Sequence, residues 1–587
     1  MNLSTADVVA GSIKRRGLQW CAPYLYWLEQ RPHEAGRGVI VRYDPVSDLR
    51  SDITPSNYSV RSKVHEYGGG DFLATCDGIF FVNNVDQCVY SQAADGVRTL
   101  TRQYSIDTRY ADFSYCEQRK LLCCVRERHC DTVINDLIAI SQNGEITILA
   151  NGADFYSAPR VSADGKKLCW LQWNLPSMPW DNCQLYQARL TEQLTLTDKR
   201  TIVKDDDIAV LAPSYDVRGT LWFADDRDGF WRVRNTDDLS KAYSGENRDC
   251  GIAAWSLGQQ PYCVNKEQTI ASIEFDSGAQ RLCIDGLTVN AAFAECGAQL
   301  VCAGAQLFFF ATQTAQNEAM YRFDLNTLAL QCCDPPTAND AIVAETIWVN
   351  GVHAYYYQAA TSEPSPLIVF CHSGPTGLAT AALNLTYQFY LQHGFSILDI
   401  NYRGSYGFGR EYRQALLSHW GVLDVADCAA VLATTMQTKA INRQRIYLRG
   451  NSAGGLTALH WLAQHSQPFR AAALRYPVVD LASLQRCSHK FEVGYLGELI
   501  GARDERDLLW SSRSPLSAIE RIDCPLLVSQ GSADPVVPVK QAETLQTALY
   551  NRGIPCRLDL LVGEGHGFRR QESLNASLEA ELAWFQH

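Results

Sequence analysis

The sequence predicts an all-β propeller of seven blades, followed by a doubly wound, mostly parallel α/β sheet. Three observations lead there. Short aromatic and β-branched strands recur in seven units from about residue 20 to 345, at the roughly 40–50-residue period of propeller blades. After Glu363-Pro-Ser-Pro366 the pattern changes to strands alternating with helical stretches. Within that second part, an apolar run leads into Gly450-Asn-Ser-Ala-Gly454 and then into a helical segment from Leu456.

In chain order, the first element is a helix over Leu3 to about Ile13. Thr5 is its cap-like residue, and its apolar positions fall at helical spacing. It is expected to pack on the C-terminal domain, so residues 1–15 are set apart from the propeller at 16–347. The blades pair Tyr24–Trp27 with Val39–Tyr43, Gly78–Val82 with Gln87–Tyr90, and Leu121–Val125 with Asp136–Ile140. Leu168–Leu171 pairs with Gln184–Tyr186, Thr220–Phe223 with Phe230–Val233, and Leu307–Phe310 with Met320–Phe323. A weaker unit, Tyr262–Val264 with Thr269–Ile273, completes seven. Turns such as Ala163-Asp-Gly165 suit blade hairpins. A pair of β-sandwiches would not require so regular a spacing. The α/β domain, 348–587, has strands at Leu367–Phe370, Ser396–Ile400, Arg445–Leu448, Ala472–Arg475, Leu526–Val528 and Leu558–Leu561. Its helices are expected at about 379–393, 423–437, 456–465, 540–552 and 571–586.

A chain of 587 residues is too long for one core and suggests at least two domains. Hydrophobic residues make up 46% and charged residues 20%, an ordinary globular balance. The net charge of -12 argues against a nucleic-acid partner and gives no reason to expect an anionic membrane. No apolar run reaches the roughly 18 residues of a membrane span. The first ten residues lack a basic segment followed by an apolar one, so a cytoplasmic location is expected. The 21 cysteines are accordingly read as reduced thiols, packed as small apolar residues in runs such as Leu121-Leu-Cys-Cys-Val125. No paired C-x-x-C pattern is present, and neither a metal nor a cofactor is expected. Self-association is left open.

The chemistry is concentrated in three segments. A serine at the apex of a strand-to-helix turn is strained, and side chains two residues either side would collide. Gly450 and Gly454 occupy those places, and Gly455 lets the following helix pack closely. Such a nucleophile elbow exposes Ser452 and aims the Ala453 amide where an oxyanion would be held. Pro525-Leu-Leu-Val-Ser-Gln-Gly531 is a buried-strand pattern whose loop carries Asp534. Arg557-Leu-Asp-Leu-Leu561 is another, and its loop delivers His566 between two glycines. The order Ser452, Asp534, His566 is that of the α/β-hydrolase triad. Asp559 lies within its strand and Glu564 only two residues from His566, so neither is preferred as the triad acid.

With these motifs the chain resembles the prolyl oligopeptidase family of serine peptidases, in its acylaminoacyl-peptidase and dipeptidyl-aminopeptidase branch. The resemblance is dense over about 366–587. It rests on His372-Ser-Gly-Pro375, Asn401-Tyr-Arg-Gly-Ser-Tyr-Gly-Phe-Gly409, Trp420-Gly-Val-Leu-Asp-Val-Ala-Asp427 and Gly450-Asn-Ser-Ala-Gly-Gly455. Asp534-Pro-Val-Val-Pro-Val-Lys-Gln541 and Gly563-Glu-Gly-His-Gly-Phe568 belong to it too. Val64-His-Glu-Tyr-Gly-Gly-Gly70 and Trp173-Asn-Leu-Pro-Ser-Met-Pro-Trp180 are less diagnostic.

The resemblance implies a serine peptidase acting on short peptides near the N-terminus, with the propeller as a size filter. Ser452 would be the nucleophile, His566 the base and then acid, and Asp534 its orienting partner. The oxyanion hole would combine the amides of Ala453 and Gly374. Ser373 stands where the family usually has glycine. Val536 stands where many members carry an Arg or Asn for the P2 carbonyl, and it cannot donate a hydrogen bond. Phe491 and Tyr495 would form the S1 wall by analogy, but their i, i+4 spacing is equally a core signature. Glu66 is the candidate for gripping a free substrate amine, with a turn residue beside Gly68–Gly70 as the other reading. A carboxylesterase or amidase would use the same triad, and a non-catalytic propeller scaffold would need none of it.

Overall fold

A computed structural model describes residues 3–102, 107–203, 207–291, 293–335, 340–464 and 468–587. Seven antiparallel sheets form the propeller, each built from strands consecutive in the chain. The first comprises Lys14–Cys21, Tyr24–Arg31, Arg37–Asp44 and Leu49–Asp52. The fifth has three strands, Val210–Tyr215, Leu221–Asp225 and Arg232–Asn235; the other sheets have four. Middle strands are the apolar ones because both their faces pack on neighbouring blades: Leu121–His129 is mostly buried, whereas the outer strand Leu49–Asp52 is exposed throughout. The ring closes without strand exchange. Leu18, Trp27 and Val41 of the first blade pack on Phe308, Phe310 and Met320 of the last, and Asp334 takes both Arg15 (3.2 Å) and Arg50 (2.5 Å) across the seam. The blades surround a cavity of about 720 Å³, whose lining includes Arg16, Asp71, Asp112, Arg160 and Glu295 and, from the other domain, Tyr406.

One cysteine expectation is corrected here. Cys263 and Cys302 form a disulfide, because the first strands of the sixth and seventh blades bring their Cα atoms to 6.2 Å; the remaining cysteines are free.

The C-terminal sheet has eight strands, which in chain order are Glu345–Val349, Val352–Tyr357, Ser365–Cys371, Ser396–Asn401, Ile441–Asn451, Phe469–Arg475, Leu526–Gly531 and Cys556–Leu561. They are arranged 1-2-4-3-5-6-7-8. The first two form an antiparallel hairpin and the second pairs antiparallel with the fourth, while the rest are parallel. The period of two in the buried strands serves two cores at once. Leu367, Val369 and Cys371 face the core that holds the helices Leu423–Thr438, Ala453–Leu462 and Val539–Asn551. Ile368 and Phe370 face the helices Leu385–Gln392 and Gln571–Gln586 on the other side. The sequence pattern carried the helix after the elbow to 465, which lies outside the described residues. Among the described residues no helix is long and apolar enough to cross a membrane.

The N-terminal helix runs Thr5–Ala10, capped by Ser4 in a reciprocal capping box with Asp7 rather than by Thr5. Val8 joins the core under the C-terminal helix, Thr5 donates to Glu579 (2.9 Å), and Leu3 N donates to Gln392 (2.7 Å).

The propeller sits over the loop ends of the sheet and is tied there by polar contacts. Asp226 receives Arg410 (2.7 Å) and the buried Arg413 (2.6 Å), whose guanidinium also lies 4.0 Å from the Trp231 ring centroid. Trp255 Nε1 donates to Thr376 O (2.7 Å) and Lys490 to Asp154 O (2.8 Å).

Candidate active site

Ser452 lies between the fifth strand and the helix Ala453–Leu462, at φ 50° and ψ −118°. The left-handed region is costly for a side chain, and the turn persists because its surroundings over-determine it. A Cβ on Gly450 would lie 2.3 Å from Gly454 O. One on Gly454 would lie 2.2 Å from Cys371 O and 2.5 Å from His372 O. Gly455 packs against Pro477, 2.7 Å from where its Cβ would be. The Ser452 amide donates to Arg475 O (2.9 Å), pinning the apex to the next strand. Replacing Gly454 by Ala should therefore displace the elbow, since the clash is with backbone and cannot be relieved by a rotamer. The expected result is a fall of at least about 100-fold in the labelling rate of Ser452 by a fluorophosphonate, from overpacking and misplacement together. Labelling within about threefold of wild type would show the turn to be more pliable than these distances allow.

His566 Nε2 is 3.0 Å from Ser452 Oγ, and His566 Nδ1 is 2.9 Å from Asp534 Oδ2. Asp534 is buried, and its other oxygen accepts the amides of Val536 and Val537, both at 2.9 Å. Those bonds and the Pro535 turn fix the carboxylate's direction. The loop bearing His566 is braced by Glu564, which accepts the amides of Arg569 (3.0 Å) and Arg570 (2.9 Å). Asp559 pairs with Arg557 on the strand.

A cavity of about 20 Å³ adjoins Ser452. Gly374 and Ala453 border it. The amide of Ala453 is in the first turn of its helix, where no intrahelical acceptor exists. Gly374 has φ +131°, a conformation that favours glycine, whereas Ser373 beside it is exposed, which is how its Cβ is accommodated. His372 stacks on Tyr402 (4.3 Å between centroids) and reaches Ser405 (2.8 Å), holding this loop to its neighbour.

The remaining candidates separate. Tyr495 and Val536 line the same cavity as Ser452, with Trp420, Leu496 and Leu499. Phe491 does not; it stacks on His65 of the propeller (4.8 Å, 12°) and sits among Phe155, Trp173, Trp180 and Trp255. It is buried, so the core reading of its spacing describes it. Glu66, at φ 67°, is held by Arg109 (2.5 Å) and is not among the cavity residues. Two features went unseen in the sequence. Glu492 lines the cavity and accepts the Tyr67 hydroxyl (2.5 Å), and Trp180 and Trp255 pack on Tyr495 with ring centroids at 5.6 and 5.8 Å. Tyr67 and Trp180 lie within the two propeller segments quoted above; nothing local marks them as partners of a helix more than 300 residues away.

A propeller over an α/β-hydrolase sheet, with Ser, His and Asp hydrogen-bonded in series at its strand ends, defines the class. The family follows from comparison: residues 382–587 match the prolyl oligopeptidase family, and the chain belongs to it through this C-terminal domain. The human acylamino-acid-releasing enzyme is 29% identical over 227 residues, which cover 38% of this chain and 31% of that protein. The chain thus matches about a third of the length of such curated relatives. Likeness to solved structures extends further. A crystal structure of puromycin hydrolase superposes with a TM-score of 0.94 at 28% identity, covering 100% of this chain and 96% of that one. A puromycin-hydrolyzing peptidase from Mycobacterium tuberculosis gives 0.93 at 29%, covering 99% and 95%.

Proposed function

We propose that this protein is a serine peptidase that hydrolyses short peptides near the N-terminus through an acyl-enzyme. The observation that carries the reading is the unbroken series Ser452 Oγ, His566, Asp534, at 3.0 and 2.9 Å, beside an open strand-end loop. His566 takes the hydroxyl proton as Ser452 Oγ bonds to the scissile carbonyl carbon. It then gives that proton to the leaving amine as the C–N bond breaks. Water repeats the sequence on the ester and releases the acid half. The amides of Ala453 and Gly374 hold the oxyanion in both steps.

Substrate size follows from the cover. The propeller's aromatic side chains close on Tyr495 and Phe491, and nothing the size of a folded domain fits between them and Ser452. The Val536 amide is committed to Asp534 and its side chain is buried, so this position supplies no anchor for a P2 carbonyl. The names of its relatives, a releasing enzyme for acylamino acids and a puromycin-hydrolyzing peptidase, agree with action on small amides. Di- to pentapeptide amides are expected to turn over at least about 100-fold faster than internal sites in folded proteins, as mass spectrometry of digests would read. Rapid internal cleavage of folded proteins, with short peptides left intact, would overturn the reading.

A further inference from the structure

Among the described residues, Glu492 is the only charged side chain that lines the cavity at Ser452. It is 9% exposed and lies in the first turn of the helix Lys490–Ile500. Glu492, Tyr495, Leu496 and Leu499 fall at i, i+3, i+4 and i+7, so one helix face forms one wall of the cavity. That wall is polarised along its length. Leu499 is at the inner end, where its carbonyl accepts the amide of Trp420 (3.0 Å), and Trp420, Val478 and Leu484 complete an apolar floor. Glu492 is at the outer end, against the propeller, where Tyr67 donates to one carboxylate oxygen (2.5 Å) and His489 Nε2 lies 3.4 Å from the other. Burial opposes its charge, but His489 and the Tyr67 hydroxyl outweigh that and hold the carboxyl below its usual range. A carboxylate can accept about four hydrogen bonds, and these two neighbours leave room for another donor.

An N-terminal extension of a substrate would have to pass this outer end, and aromatic rings fill it. Trp180 and Trp255 are 4.5 Å apart, both contact Tyr495, and Tyr67 packs on Trp255 at 5.3 Å. Thr376, which accepts the Trp255 indole, is hydrogen-bonded to the Tyr495 hydroxyl (2.6 Å) and locks the two domains together at this point. A substrate seated at Ser452 can place its first side chain on the apolar floor. The group on its Cα then faces the rim.

We propose that Glu492 receives the α-ammonium group of the substrate's first residue, making the protein an aminopeptidase that removes one residue at a time from unblocked N-termini. The proposal rests on the serine peptidase reading above. A lysine or arginine side chain directed at Glu492 is disfavoured because the charge sits at the rim and the floor beyond it is apolar.

The test compares Leu-p-nitroanilide, N-acetyl-Leu-p-nitroanilide, Gly-Leu-p-nitroanilide and N-acetyl-Lys-p-nitroanilide on the full-length protein. Wild type is expected to prefer the free-amine leucine substrate by at least about 100-fold in kcat/KM over the three others, a range set by a charge-assisted contact in a desolvated site. Glu492→Gln should shrink the ratio of free to acetylated leucine substrate at least about 30-fold, chiefly through KM. Glu492→Asp should fall between. Tyr67→Phe keeps the carboxylate and should change the ratio less than about fivefold, which separates ammonium binding from the tether between domains. Equal or better hydrolysis of the acetylated or dipeptidyl substrate by wild type would overturn the proposal, as would a ratio unmoved in Glu492→Gln. Preference for N-acetyl-Lys-p-nitroanilide would reassign Glu492 to a basic side chain and overturn it too. Reaction of wild type with a fluorophosphonate at Ser452 keeps the two levels apart: labelling with any of these outcomes sinks the role of Glu492 alone, and no labelling sinks the serine reading with it.

Discussion

Replacing Ser452 by Ala is expected to lower peptide turnover by about 10⁴–10⁶-fold without unfolding the protein. The magnitude follows from the series of hydrogen bonds. Without the hydroxyl, His566 has no proton to accept at 3.0 Å, no acyl-enzyme can form, and only the oxyanion donors and substrate binding remain to assist water. The fold is spared because the elbow is held by backbone, not by the side chain. The Ser452 amide bonds to Arg475 O, and the Ser452 carbonyl accepts the amide of Gly455 (2.9 Å). Alanine keeps both. Its methyl group does nothing to relieve the positive φ, so the variant inherits the strain and should melt close to wild type. Activity on p-nitroanilides, thermal melting and fluorophosphonate labelling measured together check this. Hydrolysis retained above about a tenth of wild type would exclude Ser452 as the nucleophile.

Ser452, Asp534 and His566 could be singled out because each carries a local mark: a turn that demands glycines, or a loop after an apolar strand. The inner strands of the blades are legible for a related reason. Both faces of Leu121–His129 or Gln306–Thr312 are buried, so the residues are apolar and β-branched or aromatic. Their outer partners Leu49–Asp52 and Gly96–Thr99 are largely exposed and read as loops. The hairpin of Glu345–Val349 and Val352–Tyr357 was assigned to neither domain's pattern, since its outer strand is exposed and it precedes the change of grammar at Glu363. What no local pattern shows is pairing across the fold. Tyr67 meets Glu492 over a sequence separation of 425, and Cys263 meets Cys302 only because two blades are adjacent. Phe491 and Tyr495 make the same point at close range. They lie one helical turn apart, yet one packs into the propeller and the other lines the cavity.

Behind the elbow lies a buried charge cluster whose disruption should have the largest effect on stability. Glu581, on the C-terminal helix, receives Arg449 Nε (2.8 Å), Arg475 Nε (2.5 Å) and the Tyr390 hydroxyl (2.6 Å). Arg449 is in the strand that leads into Ser452. Arg475 ends the next strand, and its carbonyl takes the Ser452 amide. One carboxylate thus fixes both strand ends beneath the nucleophile. Burial pushes its pKa up, but Arg449 and then Arg475 pull harder and leave it at about 2. Glu581→Gln keeps the shape and removes the charge, leaving two arginines buried without their counter-ion. Removing one partner of such a cluster costs about 3–5 kcal/mol. For a domain of this size that is a fall of about 6–20 °C in apparent melting temperature. The pH dependence has a fixed sign. A carboxyl whose folded pKa lies below its unfolded value of 4.5 stabilises the fold above 4.5 and loses that contribution as pH falls toward 2, about 3 kcal/mol in all. The melting gap between wild type and Glu581→Gln should therefore be constant from pH 8 to about 5 and narrow as pH drops through 4.5. A gap that is small at pH 7, or that widens in acid, would show that the two arginines are satisfied by other means.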